Sequence, residues 1–155
     1  MKNYFFCFIA LLVLLFLGYH FWTAVTIDNI SYVQIGGQNV KVDLALTEAE
    51  HTKGLSGKNE LVENEGMLFI FTESGKHSFW MKDMNFPIDI VWISSDMKVV
   101  YIKKNATPET YPEAFIPDVD AKYVLEISAG FSNKNNLKVG DSVEFLFTSP
   151  QPSPY

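Results

Sequence analysis

Arginine is absent from this 155-residue chain: all twelve of its cations are lysines, set against 18 aspartates and glutamates for a formal net charge of −6. Without guanidinium groups there is no bidentate clamp for phosphate or carboxylate. The acidic balance argues against a nucleic-acid backbone as partner. Cysteine is almost missing as well, since Cys7 stands alone inside the first apolar run. The remainder of the chain therefore has no disulfide, no cysteine zinc site and no thiol nucleophile. Charged residues make up only 19% against 48% hydrophobic, a balance that excludes intrinsic disorder for the bulk of the chain.

One long hydrophobic run is present, from Tyr4 to Trp22. It matches the roughly 20 helical residues needed to cross a hydrocarbon core of about 30 Å. Tyr19, His20, Phe21 and Trp22 close it with the aromatic, half-polar character of a membrane interface. A cleaved signal, leaving a secreted or periplasmic product, is the alternative. Bulky Phe21 and Trp22 before Ala24-Val25-Thr26 make a poor cleavage site, so an uncleaved transmembrane helix is the preferred reading. Lys2 lies on one flank and Asp28 on the other, which places the N-terminus in the cytoplasm and the main domain outside a cell membrane crossed once. The expected organisation is an anchor over residues 1–27, a β-rich outer domain over 28–148 and a Pro-rich disordered tail over 149–155.

Beyond Asp28 the chain turns to short Val-, Ile-, Tyr- and Phe-rich runs separated by Gly, Asn and Ser. Gly36-Gly37 between alternating strands predicts a tight hairpin, because primed turns need positive φ. Thr47-Glu48-Ala49-Glu50 is a capping box opening a short helix that Gly54 can end. Further strands are expected over 66–71, 76–81, 88–93, 99–103, 123–127 and 142–147. Pro108, Pro112 and Pro117 mark 105–120 as an irregular loop. The pattern predicts a mainly β domain with one short helix, folded as a sandwich or a barrel.

Gly54-Leu55-Ser56-Gly57-Lys58, Gly66-Met67-Leu68-Phe69, Phe79-Trp80-Met81-Lys82, Pro87-Ile88-Asp89, Val124-Leu125-Glu126 with Gly130, and Gly140-Asp141 occur in that order. In these blocks the sequence resembles the domain of unknown function 192 family, over about Val33 to Phe147. It departs at Lys58, where the family usually has arginine, and at Asp83-Met84, where an Asn-Thr pair is common. The resemblance implies a compact, jelly-roll-like β domain, often exported or membrane-anchored in prokaryotes, and no established activity.

Lys82, Asp89 and Glu126 are each charged within or beside an apolar strand. A lone buried charge is costly, so they should pair with one another, meet water or point out of the sheet. Converging, they would supply two carboxylates and an ammonium for acid/base chemistry; sealed, they would be a structural ion pair. The run Ile88-Asp89-Ile90-Val91-Trp92-Ile93 looks buried on both faces, which favours a paired Asp89. His77, Met81 and Met84 could form a soft Cu(I) site with Trp80 and Met67 nearby. A regular strand, however, splits that set between two faces. Gly54–Lys58 fails as a phosphate loop because Thr52 and Asn59 stand where glycine and Ser/Thr are required. His51 reads as solvated. Phe79, Trp80, Phe86, Trp92, Tyr101, Tyr111 and Phe115 could wall a cleft beneath the Pro-rich loop. The expected function is a tethered domain that binds a small ligand or envelope component without a cofactor, through some of Lys58, Trp80, Lys82, Asp89 and Glu126. An envelope enzyme using the three charges and a Cu(I)-binding protein are the alternatives. The expected partners are the lipid bilayer, through residues 4–22, and that ligand.

Overall fold

The computed structural model describes residues 29–147; the anchor expected over 1–27 and the tail over 149–155 lie outside them. Among the described residues no helix is long and apolar enough to cross a membrane. The elements are β1 (Ile30–Ile35), β2 (Gln38–Ala45), α1 (Glu48–Lys53), β3 (Glu65–Gly75), β4 (Phe79–Trp80) and β5 (Ile88–Ile93), followed by β6 (Val99–Ala106), a 3-10 turn (Pro108–Thr110), β7 (Ala114–Phe115), β8 (Ala121–Ser128), α2 (Phe131–Lys134) and β9 (Glu144–Phe147). Mainly β structure with few helices is what the alternating pattern implies.

The strands form one seven-stranded sheet in the order β6-β5-β8-β3-β2-β1-β9, with β4 and β7 paired as a separate ribbon. Within the large sheet only β2 and β3 run parallel; the helix-bearing connection between them makes that possible. The β1–β2 hairpin turns on Gly36 (φ 58°) and Gly37 (φ 74°), the two positive angles that a primed turn requires. An isolated bridge between Lys98 and Ser142, with Val99 N–H donating to the Asp141 carbonyl at 2.9 Å, joins the start of β6 to the segment entering β9. The sheet thus curls until its two edges meet, which removes the hazard of open strand edges.

Curling gives the sheet an inside and an outside, and both are apolar. Val33, Ile35, Val40, Leu68, Val91, Ile93, Leu125 and Ile127 pack together on the inner side. Phe69, Ile88, Ile90, Trp92 and Val124 point outward, where Leu55, Met81, Met84 and the β4–β7 ribbon cover them. Every residue of β5 is buried as a result.

Three expectations change in detail. The strand expected over 76–81 shrinks to Phe79–Trp80, because the His77 carbonyl accepts from the Trp92 indole N–H at 2.8 Å rather than from a neighbouring strand, and Asp83 (φ 55°) then turns the chain. The loop expected over 105–120 contains the 3-10 turn and β7, whose Phe115 is opposite Phe79. The one short helix expected is α1; the described residues hold a second, α2, whose four residues are too few for a 3.6-residue period to show in the sequence.

Candidate functional site

Lys82, Asp89 and Glu126 are not brought together. Asp89 is opposite Ile127 and alternates with the inward-facing Val91, whereas Glu126 is opposite Ile90 and alternates with the outward-facing Val124. The two carboxyls therefore occupy opposite faces of one sheet. Lys82 is exposed and follows β4; the chain there is held through its backbone, the Lys82 carbonyl accepting from Ser56 Oγ at 2.8 Å.

Among the described residues Asp89 has no ammonium partner; the ion pair expected for it is replaced by backbone amides. With no solvent exposure, it accepts from the N–H groups of Asn105 (2.8 Å), Gly130 (3.2 Å) and Ser132 (2.8 Å). Asn105 (φ 50°) is at the β5–β6 irregularity, where two bulge residues turn an amide inward. Gly130 (φ 85°) and Ser132 belong to the first turn of α2, whose unpaired amides need an acceptor. One carboxylate thus ties β5, β6 and α2 together.

Glu126 is in the opposite situation. It is 4% exposed, and no described protein group hydrogen-bonds its Oε2 atom. Burial pushes its carboxyl up to about 8, although the nearby Leu55 backbone N–H pulls the other way. Gly54 shields it: a Cβ there would come within 3.4 Å of Oε2 and 3.2 Å of Phe69 Cζ, and φ is +49°. The GLSGK loop reaches this place because Ser56 Oγ, the Gly57 N–H and the Lys58 carbonyl bond Lys82, Asp83 and Asn85 respectively (2.8, 2.9 and 2.9 Å). Two motifs distant in sequence are thereby joined at one edge of the outer core.

Above Glu126 opens a cavity of about 340 Å³, lined by α1 and Gly54–Ser56, by Phe71, and by His77–Trp80 and Met84. That volume is at the lower end for small-molecule sites. Phe71 stacks on His77 at 3.5 Å and meets His51 at 4.5 Å, so one phenyl ring separates the two imidazoles along the wall. His51 Nε2–H donates to the Ala45 carbonyl at 3.0 Å and His77 Nε2–H to the Glu73 carbonyl at 3.1 Å. Partial burial holds His77 below the ordinary imidazole range, against the raising effect of the Glu73 carbonyl. Trp80 stands on the rim, 46% exposed.

Of the aromatic residues expected to wall a cleft, Phe79 and Trp80 do so, but the opening is beside α1 rather than under the Pro-rich loop. Trp92 and Phe115 are buried in the outer core. His51 was not a sequence candidate; the capping box that fixes α1 was the available signal, since it sets His51 one turn from Thr47 and back over Ala45. The break after Trp80 reunites His77, Trp80 and Met84 around the cavity, while Met81 is sealed in the core at 1% exposure. Among the described residues no group of three or more His, Cys, Asp or Glu could hold a metal ion. Lys58 pairs with Asp43 at 3.0 Å on the surface.

Two solved structures share this fold and a substantial part of the sequence. A protein of unknown function from Novosphingobium aromaticivorans is 33% identical, with a TM-score of 0.70 over 74% of this chain and 84% of that one. A protein from Sinorhizobium meliloti described as a candidate transcription regulator is 30% identical, with a TM-score of 0.67 over 70% of this chain and 83% of that one. No curated protein matches. The model of the DUF192 family, described as Uncharacterized ACR, matches residues 31–145, and the chain belongs to that family.

Proposed function

We propose that this protein is a ligand-binding β domain whose recognition site is the cleft above Glu126, held outside a membrane by its apolar segment, residues 4–22. The observation that carries the reading is Glu126 itself: a buried carboxyl, one oxygen without a partner among the described residues, in the lining of an aromatic-walled cavity. A buried polar atom left unsatisfied costs about 1–3 kcal/mol. A site that binds through that atom recovers the cost when occupied. The apolar segment supports a tether by its length and its aromatic end.

Acid/base catalysis by Lys82, Asp89 and Glu126 has no convergent triad to rest on, because the carboxyls face opposite sides of the sheet. Nucleic-acid binding, which the name given to the S. meliloti protein suggests, finds little support in a chain with no arginine and a net charge of −6. The test is a screen of charged, polar and aromatic fragments against the full chain in lipid nanodiscs by ligand-observed NMR, repeated with Glu126→Gln and Trp80→Ala. Binders lost in both variants are the expected result. No binders, or binders indifferent to both changes, would overturn the proposal.

A further inference from the structure

We infer that the cleft above Glu126 takes an organic ammonium ion, a primary amine carried on an apolar or aromatic body. The inference rests on the ligand-site reading above and adds the chemical class. The comparison between the two buried carboxyls carries it. Asp89 collects three backbone N–H donors and is complete within the fold. Glu126 is almost as deeply buried, yet among the described residues its Oε2 has no hydrogen-bond partner, and the ion pairs there (Lys41–Glu65, Lys58–Asp43 and Lys134–Glu63) leave it out. Burial keeps a proton on the carboxyl; an ammonium ion that displaces it supplies both the donor and the counter-charge that the ionised Oε2 lacks.

The walls select among donors. Phe71, Phe79 and Trp80 line the cavity, and Trp80 keeps nearly half its surface free at the rim. Aromatic faces attract ammonium groups and also bury the apolar body that carries them. The fold already uses that contact elsewhere, with Lys103 Nζ 4.2 Å above the Phe115 ring. The charged and titratable groups around the cavity are Glu48, His51 and Lys53 from α1, His77 from the β3–β4 connection, and Glu126. Lys53 is exposed, and His77 is shifted toward its neutral form, so neither supplies a buried counter-charge. An anionic ligand would meet the exposed Glu48 carboxylate there, and Glu126 would repel it once ionised. A neutral alcohol could take one hydrogen bond from Glu126 but would leave the cation-attracting faces unused.

The probes are phenethylamine, 2-phenylethanol and 3-phenylpropanoate, which keep the ring and change the head group, titrated into the full chain in nanodiscs by calorimetry. Phenethylamine alone is expected to bind. Docking an ammonium against Glu126 releases its proton, so affinity should rise with pH, by up to about tenfold per unit, and level off near 8. Glu126→Gln should weaken binding at least tenfold and remove that slope; Trp80→Ala should weaken binding and keep the slope. Equal binding of the alcohol, or a pH slope that survives Glu126→Gln, overturns the ammonium assignment. Failure of all three probes, alongside Glu126-dependent hits in the fragment screen, overturns the class and leaves the site standing. Failure of both experiments removes the site as well.

Discussion

Replacing Asp89 by alanine removes the acceptor for three backbone N–H groups at once: Asn105 and Ser132 at 2.8 Å and Gly130 at 3.2 Å. The donors belong to a bulge in β6 and to the first turn of α2, so neither segment has a second acceptor built in. Each buried amide left without a partner costs about 1–3 kcal/mol. Some solvent entry at the α2 end offsets part of this, giving an expected loss of about 3–6 kcal/mol. Domains of this size have total stabilities of about 5–15 kcal/mol, so the variant should be close to unfolding at physiological temperature. Urea unfolding of the full chain, followed by near-ultraviolet circular dichroism of the fully buried Trp92, reads the change as a fall in midpoint. Asp89→Asn keeps one acceptor oxygen but turns an NH2 toward the remaining donors, and should lose about half as much. Lys82→Ala should stay within about 0.5 kcal/mol of the parent, as exposed positions usually do. A loss below about 1 kcal/mol for Asp89→Ala would show that the amides find other acceptors, and an equally large loss for Lys82→Ala would point to an ion pair instead.

Other outcomes follow from the same geometry. Gly66→Ala puts a Cβ 2.6 Å from the Glu126 backbone carbonyl where β3 and β8 touch, so it should cost at least about 1–3 kcal/mol in the same unfolding assay. Glu126 holds its proton in the folded chain up to about pH 8 but only to about 4.5 when unfolded. Its contribution to stability is therefore complete below about 4.5 and is lost as pH rises toward 8, by about 1.4 kcal/mol per unit. Glu126→Gln should flatten that part of a stability–pH profile. Thr47→Ala should cost about 1 kcal/mol by removing the α1 cap, measured by urea midpoint. Met81→Leu, nearly volume-conserving in the sealed outer core, should cost less than about 1.5 kcal/mol.

Local chemistry was legible in the sequence. The Gly36-Gly37 turn and the Thr47 capping box both formed where they were expected, because each is decided by residues within one turn of chain. The six residues of β5 also showed their double burial, since a strand apolar at five of six positions has no solvent face. What sealed Asp89 was not legible: its partners are backbone amides, which any sequence has, presented by a positive-φ Asn105 and a four-residue helix without periodicity. The separation of Asp89 from Glu126 depended on cross-strand register, because a shift of one residue would have put both on the same face. Trp80 and Glu126 were visible as candidates by type alone. Their meeting with His51 needed the GLSGK loop to be tied to residues 82–85, a contact that spacing does not reveal.

Whether the buried Glu126 carboxyl gives up its proton to a ligand's ammonium group is read by a site-resolved 13C titration of that side chain. In the full chain alone the expected midpoint is about 8, against an ordinary value of 4.5. With saturating phenethylamine it should fall by at least one unit, since a bound cation favours the charged form. A midpoint near 4.5, or one that the amine leaves in place, rules out Glu126 as the ammonium's partner.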